Sequence, residues 1–381
     1  MPTLRNEFLL DPTITFLNHG SFGATPRPVF ESYQRWQLTL EREPVEFLGR
    51  RANELLRDSR TVLAEYLGTT VDNLAFVTNA TTGINTIAHS LKLLPGDEVL
   101  STDHEYGAMD RTWRYLSKKQ GFRYINYTLP IPATSKEDFI KSFWQGVTPA
   151  TRVIYLSHYT SPTAIIIPVE EIVYKARQAG ILTVIDGAHA PGQIPLSLDT
   201  LGADFYVGNL HKWLCAPKGA GFLYARPEVQ ASIEPLIVSW GFDESPQTPK
   251  NFVNIVEMNG TRDIAAFLAV ADAVAFQREH NWPAIQAACH LLAAKARHDI
   301  MQLYDLPALY PDSTEWYAQM GTAPLPADAD VSTLAAQLFQ DYRIEVPIVT
   351  WQGHHLVRFS LQAYNSEEDI DRLVRALKRC I

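Results

Sequence analysis

The sequence lacks the features that mark several protein classes. Its only cysteines, Cys215, Cys289 and Cys380, are too few and too widely spaced for a disulfide framework or a thiolate metal site. The histidines include no His-Glu-x-x-His pair, so no metal site is expected. No apolar run approaches the roughly 20 residues that cross a bilayer, and the N-terminus lacks the regions of a signal peptide. We therefore expect a cytoplasmic protein that makes no contact with membranes.

Positive charge is also scarce. The chain has 33 Lys and Arg against 42 Asp and Glu, a formal net charge of -9, and its basic residues do not cluster. Nucleic acid is therefore not an expected partner. Hydrophobic residues make up 46% of the sequence and charged residues 20%, which is typical of globular proteins. A chain of 381 residues can bury a large core, and we expect one large domain and one smaller domain.

Short strand-like segments recur between about residues 70 and 225. Helix-like segments separate them for most of that length, and this alternation predicts an α/β fold with a mainly parallel seven-stranded sheet covered by helices. The predicted strands are 74–77, 98–101, 123–127, 152–157, 181–185, 204–207 and 221–224.

The chain divides into three predicted parts. Residues 1–26 form an N-terminal loop segment, 27–280 the large domain, and 281–381 a smaller C-terminal α+β domain. The last helix should begin after Ser366, because Ser366 and Asp369 have the spacing of a capping box. The early helical region should break near Pro44, because proline interrupts a helix.

Polar residues follow several of the predicted strands. Ligands of an open parallel sheet bind at the carboxyl ends of its strands. The turn at 78–83 consists of small residues that open an apolar helix, where free backbone N–H groups can hold a phosphate. An ordinary helix cap made by Thr81 or Thr82 is the alternative.

Two charged residues occupy similar positions. Asp186 follows a buried strand, so its carboxylate needs a cationic partner, either a ligand or an internal ion pair. Lys212 lies just after another strand, among aromatic and small residues. Its amine either reaches water or has a lowered pKa and acts as a nucleophile.

These segments together resemble a known family. The turn at 78–83, the run Asp186-Gly187-Ala188-His189 and the pair His211-Lys212 resemble the class V aminotransferases, which are fold-type I pyridoxal-5'-phosphate (PLP) transferases. The loop Asn-His-Gly-Ser-Phe-Gly at 18–23 resembles the isopenicillin-N-epimerase-like branch, and the segment at 357–360 resembles the family's C-terminal arginine motif.

The resemblance implies PLP as the cofactor, held by Lys212 as a Schiff base, with Asp186 paired to the pyridinium nitrogen. It implies that Arg358 clamps the α-carboxylate of an amino acid substrate, with Asn18 and His19 also contacting the substrate. The remaining implied contacts are Ala80, Thr81, Asn209 and His211 at the phosphate, Tyr106 stacked on the pyridine ring, and His189 at the phenolic oxygen. A last contact, Thr261, implies a homodimer with shared active sites, because the matching segment of relatives reaches the phosphate of the neighbouring subunit.

The resemblance implies action at the α-carbon and leaves the reaction open. Residues 325–357 contain no cysteine where cysteine desulfurases carry a mobile one, which argues against persulfide formation. Epimerisation needs an acid opposite Lys212, for which Tyr106, His158 or the loop at 18–23 are the candidates. A cysteine or cystine carbon-sulfur lyase, a transaminase and a catalytically silent PLP-binding protein remain as alternatives. A nucleotide-binding module is disfavoured, because both glycine-rich nucleotide motifs are missing.

Overall fold

A computed structural model describes residues 4–129, 131–243 and 251–381. Its strands are β1 (Thr15–Phe16), β2 (Leu74–Val77), β3 (Glu98–Thr102), β4 (Arg123–Tyr127), β5 (Thr151–Ser157), β6 (Leu182–Asp186), β7 (Phe205–Asn209), β8 (Gly221–Ala225), β9 (Met320–Pro324), β10 (Ile344–Glu345), β11 (Ile348–Trp351) and β12 (His354–Ser360). Its α-helices are α1 (His19–Phe22), α2 (Arg27–Arg42), α3 (Pro44–Glu46), α4 (Ala52–Leu67), α5 (Ala80–Ser90), α6 (Gly107–Gln120), α7 (Lys136–Trp144), α8 (Val169–Gln178), α9 (Leu198–Leu201), α10 (Phe252–Glu257), α11 (Ala265–Leu268), α12 (Val270–Glu279), α13 (Trp282–Tyr304), α14 (Leu334–Tyr342) and α15 (Glu367–Cys380).

The large sheet has the strand order β2-β8-β7-β6-β5-β3-β4. Only β8 runs against its neighbours, so the predicted mainly parallel seven-stranded sheet is confirmed. Each predicted strand is present, with ends that differ by at most two residues. The largest difference is at the end of β7, which extends to Asn209 because that residue still pairs with Gly221. In the same way β6 extends to Asp186, which pairs with Ser157. Both polar residues are therefore the last residues of their strands rather than the first residues of a turn.

Two apolar cores lie on the two faces of this sheet. Successive side chains of a strand point to opposite faces. Val184 accordingly packs in one core with Ile84 of α5 and Trp113 of α6, whereas Ile185 packs in the other with Ile172 of α8. Because helices cover both faces, the carboxyl ends of the parallel strands are the edge available to a ligand.

The C-terminal part contains an antiparallel sheet of order β11-β12-β9. Helix α13 packs on β9 and on α15. The capping box between Ser366 and Asp369 is present, as the spacing predicted. Arg358 lies in the middle of β12, paired with Thr322 of β9. The division of the chain at residues 26 and 280 stays a prediction.

The N-terminal segment joins the two sheets. Helices α2 and α4 flank α3 and a π-helical turn at Phe47–Arg51, which places the break at Pro44. Both helices pack on α11 and α12, and α4 also contacts β2. Strand β1 pairs with β10, and Asn18 forms a bridge with Ser360. The loop at 18–23 is thereby brought next to the strand that carries Arg358.

Candidate active site

A cavity of about 300 Å³ opens at the carboxyl ends of β2, β5, β6 and β7. Of the residues singled out from the sequence, it is lined by Ala80, Thr81, Tyr106, Asp186, His189, Asn209, His211 and Lys212. Strands of one direction end at the same sheet edge, which is why side chains far apart in sequence meet here. No group of three or more His, Cys, Asp or Glu in the described ranges could hold a metal ion. In those same ranges, none of the helices has the length and apolar character to cross a membrane.

Lys212 lies half-buried in the cavity wall, and its Nζ is 3.2 Å from Nε2 of His189. Burial, aided by the charge of Arg358 and opposed by that of Asp186, lowers the pKa of Lys212 to about 7. An amine with such a pKa is largely neutral at slightly alkaline pH, and a neutral amine is a nucleophile.

Asp186 is buried at the end of β6. Its Oδ1 accepts from the backbone N–H of Ala188 at 2.9 Å, and its Oδ2 accepts from the hydroxyl of Tyr155 at 3.1 Å. Burial raises its pKa, while Ala188 and Lys212 act in the opposite direction. The described part of the chain supplies no ion-pair partner for this carboxylate. The charge of Lys212 acts on this carboxylate without forming an ion pair with it, so the cationic partner expected from the sequence is not an ion-paired side chain of the described ranges.

Asn79 and Asn209 shape the start of α5. Asn79 caps the helix, since its Oδ1 accepts from the N–H of Thr82 at 2.9 Å. The N–H of Ala80, expected at a phosphate, instead donates to Oδ1 of Asn209 at 2.8 Å. Thr81, the second residue of the helix, has no intrahelical acceptor for its N–H. Two donors remain at this helix start, the backbone N–H of Thr81 and the side-chain NH₂ of Asn209.

His211 lies beside this helix start. Its Nδ1 is 3.0 Å from the carbonyl oxygen of Ala220, so Nδ1 carries a proton and donates it. Burial lowers the pKa of His211 to about 4. Its Nε2 therefore holds a lone pair unless an anion nearby favours the charged ring.

Arg358 lies behind the cavity wall. Its Nη1 donates to the carbonyl oxygen of Ser161 at 2.7 Å and to the Ser161 hydroxyl at 2.9 Å, and its Nη2 donates to the Ser21 hydroxyl at 3.1 Å. Burial lowers its pKa to about 10. The buried Nε–H has no acceptor, and the described residues form no ion pair with this guanidinium. Two donors, the Nε–H and one Nη2–H, therefore remain for a carboxylate.

The segment at 18–23, predicted as a loop, forms the short helix α1 over His19–Phe22 and supports the site from behind. Nε2 of His19 is 3.0 Å from the carbonyl oxygen of Lys212, and its Nδ1 is 2.9 Å from the hydroxyl of Tyr364. Asn18 accepts from Ser21 at 2.6 Å and donates to Glu345 at 2.9 Å. Neither His19 nor Asn18 belongs to the cavity lining of the described chain, whereas Ser21 does. His19 thus contacts Lys212, and Asn18 contacts the serine that binds Arg358, while the substrate contacts expected from both residues stay a prediction.

His158 also lies outside the cavity lining of the described residues. Its Nδ1 is 2.9 Å from the hydroxyl of Tyr206, and burial lowers its pKa to about 3. Ser157 precedes it on β5 and points into the cavity, so strand alternation turns His158 away. The acid role considered for His158 has no support in this geometry.

Two residues near the cavity, Glu105 and Trp213, were missed from the sequence, and Ser21 was named only as part of the loop at 18–23. Oε2 of Glu105 accepts from the N–H and hydroxyl of Ser157 at 2.9 and 2.6 Å, and burial raises the Glu105 pKa to about 7. Ser21 binds Arg358, and the indole of Trp213 donates to His189 at 3.3 Å. Glu105 and Trp213 adjoin predicted site residues, and that adjacency was the available signal.

Thr261 is exposed and lies outside this cavity in the part of the chain that the structure describes. Its neighbour Arg262 donates to the carbonyl oxygen of Glu257 at 3.0 Å. Thr261 is therefore not brought together with the other predicted cofactor contacts of the same chain.

Known proteins resemble this chain over nearly its full length. The family model Aminotransferase class-V matches residues 24–373. An isopenicillin N epimerase from Streptomyces clavuligerus is 36% identical over 383 residues, which cover 98% of this chain and 96% of the relative. A probable chloroplastic L-cysteine desulfhydrase from Arabidopsis thaliana is 27% identical over 401 residues, which cover 96% of this chain and 83% of that relative.

A solved structure resembles the fold. A mutant of the protein C-DES, with glycine covalently linked to its PLP cofactor, has a TM-score of 0.87 and covers 99% of each chain. Its sequence identity of 20% makes this a likeness of fold, and it confirms the predicted α/β class.

Proposed function

This chain belongs to the class V aminotransferase family, whose model and epimerase relatives match nearly all of it, and from that premise we propose that it epimerises the α-carbon of an amino acid. It is a PLP-dependent enzyme, as the resemblance of its motifs to this family implied. The proposal adds the reaction and the role of each residue. One observation supports those roles above all: Lys212 and Asp186 line one cavity and Arg358 lies behind its wall, and the described residues form no ion pair with any of the three.

These groups fit a cofactor and a substrate. The amine of Lys212 suits the aldehyde of PLP, because its pKa of about 7 leaves much of it neutral. The carboxylate of Asp186 suits a protonated pyridine nitrogen, which is the cation that the described residues do not supply. The free donors of Thr81 and Asn209 suit a phosphate at a helix start. The two remaining donors of Arg358 suit a carboxylate.

The chemistry follows from what each group does. PLP bound to the substrate amine weakens the bonds at the α-carbon. Lys212 then serves as the base on one face, since its neutral amine can accept the α-proton. Arg358 holds the carboxylate and so fixes which bond faces the base. These roles are common to epimerases and lyases.

Inversion requires an acid on the other face, and we assign it to Tyr106. Of the candidates named from the sequence, Tyr106 lines the cavity, as do Ser21 and Phe22 of the segment at 18–23, and the phenylalanine has no proton to donate. The Ser21 hydroxyl already donates to Asn18 and accepts from Arg358, so its proton is engaged. Tyr106 is 48% exposed, and the described residues make no hydrogen bond to its hydroxyl. Its phenol is free to donate a proton.

The reaction is tested by incubating the enzyme in deuterated water with isopenicillin N, with L-cysteine and cystine, and with a panel of other L-amino acids. An epimerase yields α-deuterated product of both configurations, without pyruvate or sulfide. The Tyr106→Phe variant should still exchange the α-proton but retain configuration, because only the second face has lost its acid. Pyruvate with unreacted substrate of unchanged chirality would exclude the epimerase.

Carbon-sulfur lysis of cysteine or cystine is the second candidate. The desulfhydrase relative from Arabidopsis thaliana favours it. Persulfide formation on the enzyme is disfavoured, because Cys215 and Cys289 are buried and none of the three cysteines lines the cavity of the described chain. The pyruvate and sulfide assays above separate this candidate from the epimerase.

Arg358→Lys is expected to lower kcat/KM about 30- to 100-fold, mostly through KM, because lysine cannot make the paired charged hydrogen bonds of a guanidinium. Steady-state kinetics check this. Arg297→Lys is the matched control, since Arg297 is another buried arginine and binds Tyr310 and Asp312. It should lower Tm but leave KM unchanged. An unchanged KM in Arg358→Lys would show that Arg358 does not bind the substrate.

The homodimer is part of the proposal. Exposed apolar side chains support it, namely Leu236, Ile237, Val238 and Trp240, which are 40%, 54%, 71% and 94% exposed, because such patches usually mark interfaces. Thr261 is exposed as a contact to a second copy requires. The free state of all three cysteines is compatible with the proposed cytoplasmic location.

Mixed dimers should show whether the sites are shared. Lys212→Ala and a bulky Thr261→Arg variant, each inactive alone, are expected to regain about a quarter of wild-type activity when unfolded and refolded together, because half of the dimers are mixed and each of these has one intact site. Light scattering gives the size. A fully active monomer would contradict the shared site.

A further inference from the structure

Trp213, His189 and Lys212 form a hydrogen-bonded chain at the cavity wall. The indole Nε1–H of Trp213 donates to Nδ1 of His189 at 3.3 Å. Nε2 of the same imidazole is 3.2 Å from Nζ of Lys212. Trp213 and His189 are both buried, and the amide of Gln277 donates to the Trp213 carbonyl oxygen at 2.9 Å. The indole is therefore held in place by the residues packed around it and by the hydrogen bond from Gln277 to the Trp213 backbone.

The hydrogen bonds between Trp213, His189 and Lys212 determine which of their nitrogen atoms carry protons. An indole N–H can only donate, so Nδ1 of His189 must supply its lone pair. Burial, together with the charge of Lys212, holds the pKa of His189 well below its ordinary value, so the ring is neutral. A neutral imidazole with a lone pair on Nδ1 carries its single proton on Nε2. The acceptor for that N–H is Nζ of Lys212, and only a neutral amine can accept.

We infer that Trp213 is a positioning residue that fixes the proton of His189 on Nε2 and thereby favours the neutral, nucleophilic amine of Lys212. The inference rests on the proposed function in one respect, that Lys212 is the lysine that binds the cofactor. Two other charged groups face this amine. Arg358 on β12 also favours the neutral form, and Asp186 on β6 favours the charged one. Trp213 acts on the same balance through a hydrogen bond instead of a charge.

Nitrogen-15 NMR of the full chain, labelled in its histidines and freed of cofactor, tests the tautomer directly. His189→Gln identifies the signals of His189 by their loss. The inference expects a protonated signal for Nε2 and an unprotonated signal for Nδ1, unchanged between pH 6 and 8. A proton on Nδ1 in the wild-type protein would overturn the inference, whatever any variant does.

A second measurement tests the effect on Lys212. Without the indole, Nδ1 can take the proton and Nε2 can accept from a lysine ammonium. In Trp213→Phe, the pH for half-maximal acetylation of Lys212 by acetic anhydride, followed by mass spectrometry, should rise by about one unit, the effect of one hydrogen bond to a charged group. Trp113→Phe is the matched control and should leave that pH unchanged, because the buried indole N–H of Trp113 has no hydrogen-bond partner among the described residues.

The outcomes are separable from those of the proposed function. Neither measurement uses turnover, so a protein with no epimerase activity can still show both results. An unshifted acetylation profile in a folded Trp213→Phe protein would overturn the effect on Lys212. If that variant does not fold, the wild-type NMR signals still decide between the two tautomers.

Discussion

Lys212→Ala is expected to abolish covalent attachment of PLP and to slow α-proton exchange by about 10⁴-fold, the upper range for loss of a general base. The variant loses the amine to which the proposal assigns both the attachment of the cofactor and the role of base on one face of the substrate. Borohydride reduction followed by mass spectrometry should place the pyridoxyl group of the wild-type protein on the peptide that contains Lys212. Proton exchange in deuterated water gives the rate.

Lys218→Ala is the matched control for this prediction. Lys218 lies six residues further along the same turn region, and burial lowers its pKa as well. The Lys218→Ala variant should keep the covalent PLP adduct and the wild-type rate of α-proton exchange. A pyridoxyl group on Lys218, or equal losses in the two variants, would contradict the assignment of Lys212.

Lys212→Ala should also change how the Tm of the cofactor-free protein depends on pH. The fold lowers the pKa of Lys212 to about 7, so a charged amine in the fold is unfavourable relative to the unfolded chain. This cost is fully present below pH 7 and disappears as the pH rises toward about 10.4, the ordinary value for lysine. Lys212→Ala should therefore exceed the wild type in Tm at low pH, with a difference that shrinks through this window.

The sequence allowed prediction of the parts of the site that local pattern governs. Asp186, Lys212 and the turn at 78–83 follow apolar strand segments, and strands of one direction end at one edge. Their meeting therefore follows from the alternation of strands and helices alone. Most of the seven strands were predictable for the same reason, since they are short apolar segments separated by helix-like ones.

Contacts between distant segments were not predictable in this way. Ser21 and Arg358 are 337 residues apart, and their hydrogen bond depends on how the N-terminal loop lies on β12. The contact of His19 with the carbonyl oxygen of Lys212 likewise joins segments 193 residues apart. His158 was considered as an acid, yet it is one residue past Ser157 and therefore on the other side of the strand end. Register and loop placement decide such contacts, and neither is encoded in a local pattern.

Asp186→Asn is expected to slow α-proton exchange about 10²- to 10³-fold while PLP stays bound, because the variant loses the only carboxylate that lines the cavity of the described chain. The amide has the shape of the carboxylate. Its oxygen can still accept from the N–H of Ala188, and its NH₂ can donate to the hydroxyl of Tyr155 once that hydroxyl rotates. The fold should therefore be preserved, and the loss should appear in the chemistry.

Asp204→Asn separates this effect from a general loss of buried charge. Asp204 is buried near the opposite end of the same strands, where it accepts from Thr183 and pairs with Arg226 at 2.6 Å. Its replacement should lower Tm and leave proton exchange unchanged, because it lies outside the cavity lining of the described chain. Stopped-flow exchange measurements on both variants decide between the two explanations. Equal rates for Asp186→Asn and the wild type would mean that this carboxylate holds the cofactor without activating it, and the electron-withdrawing role would then have to be assigned elsewhere in the site.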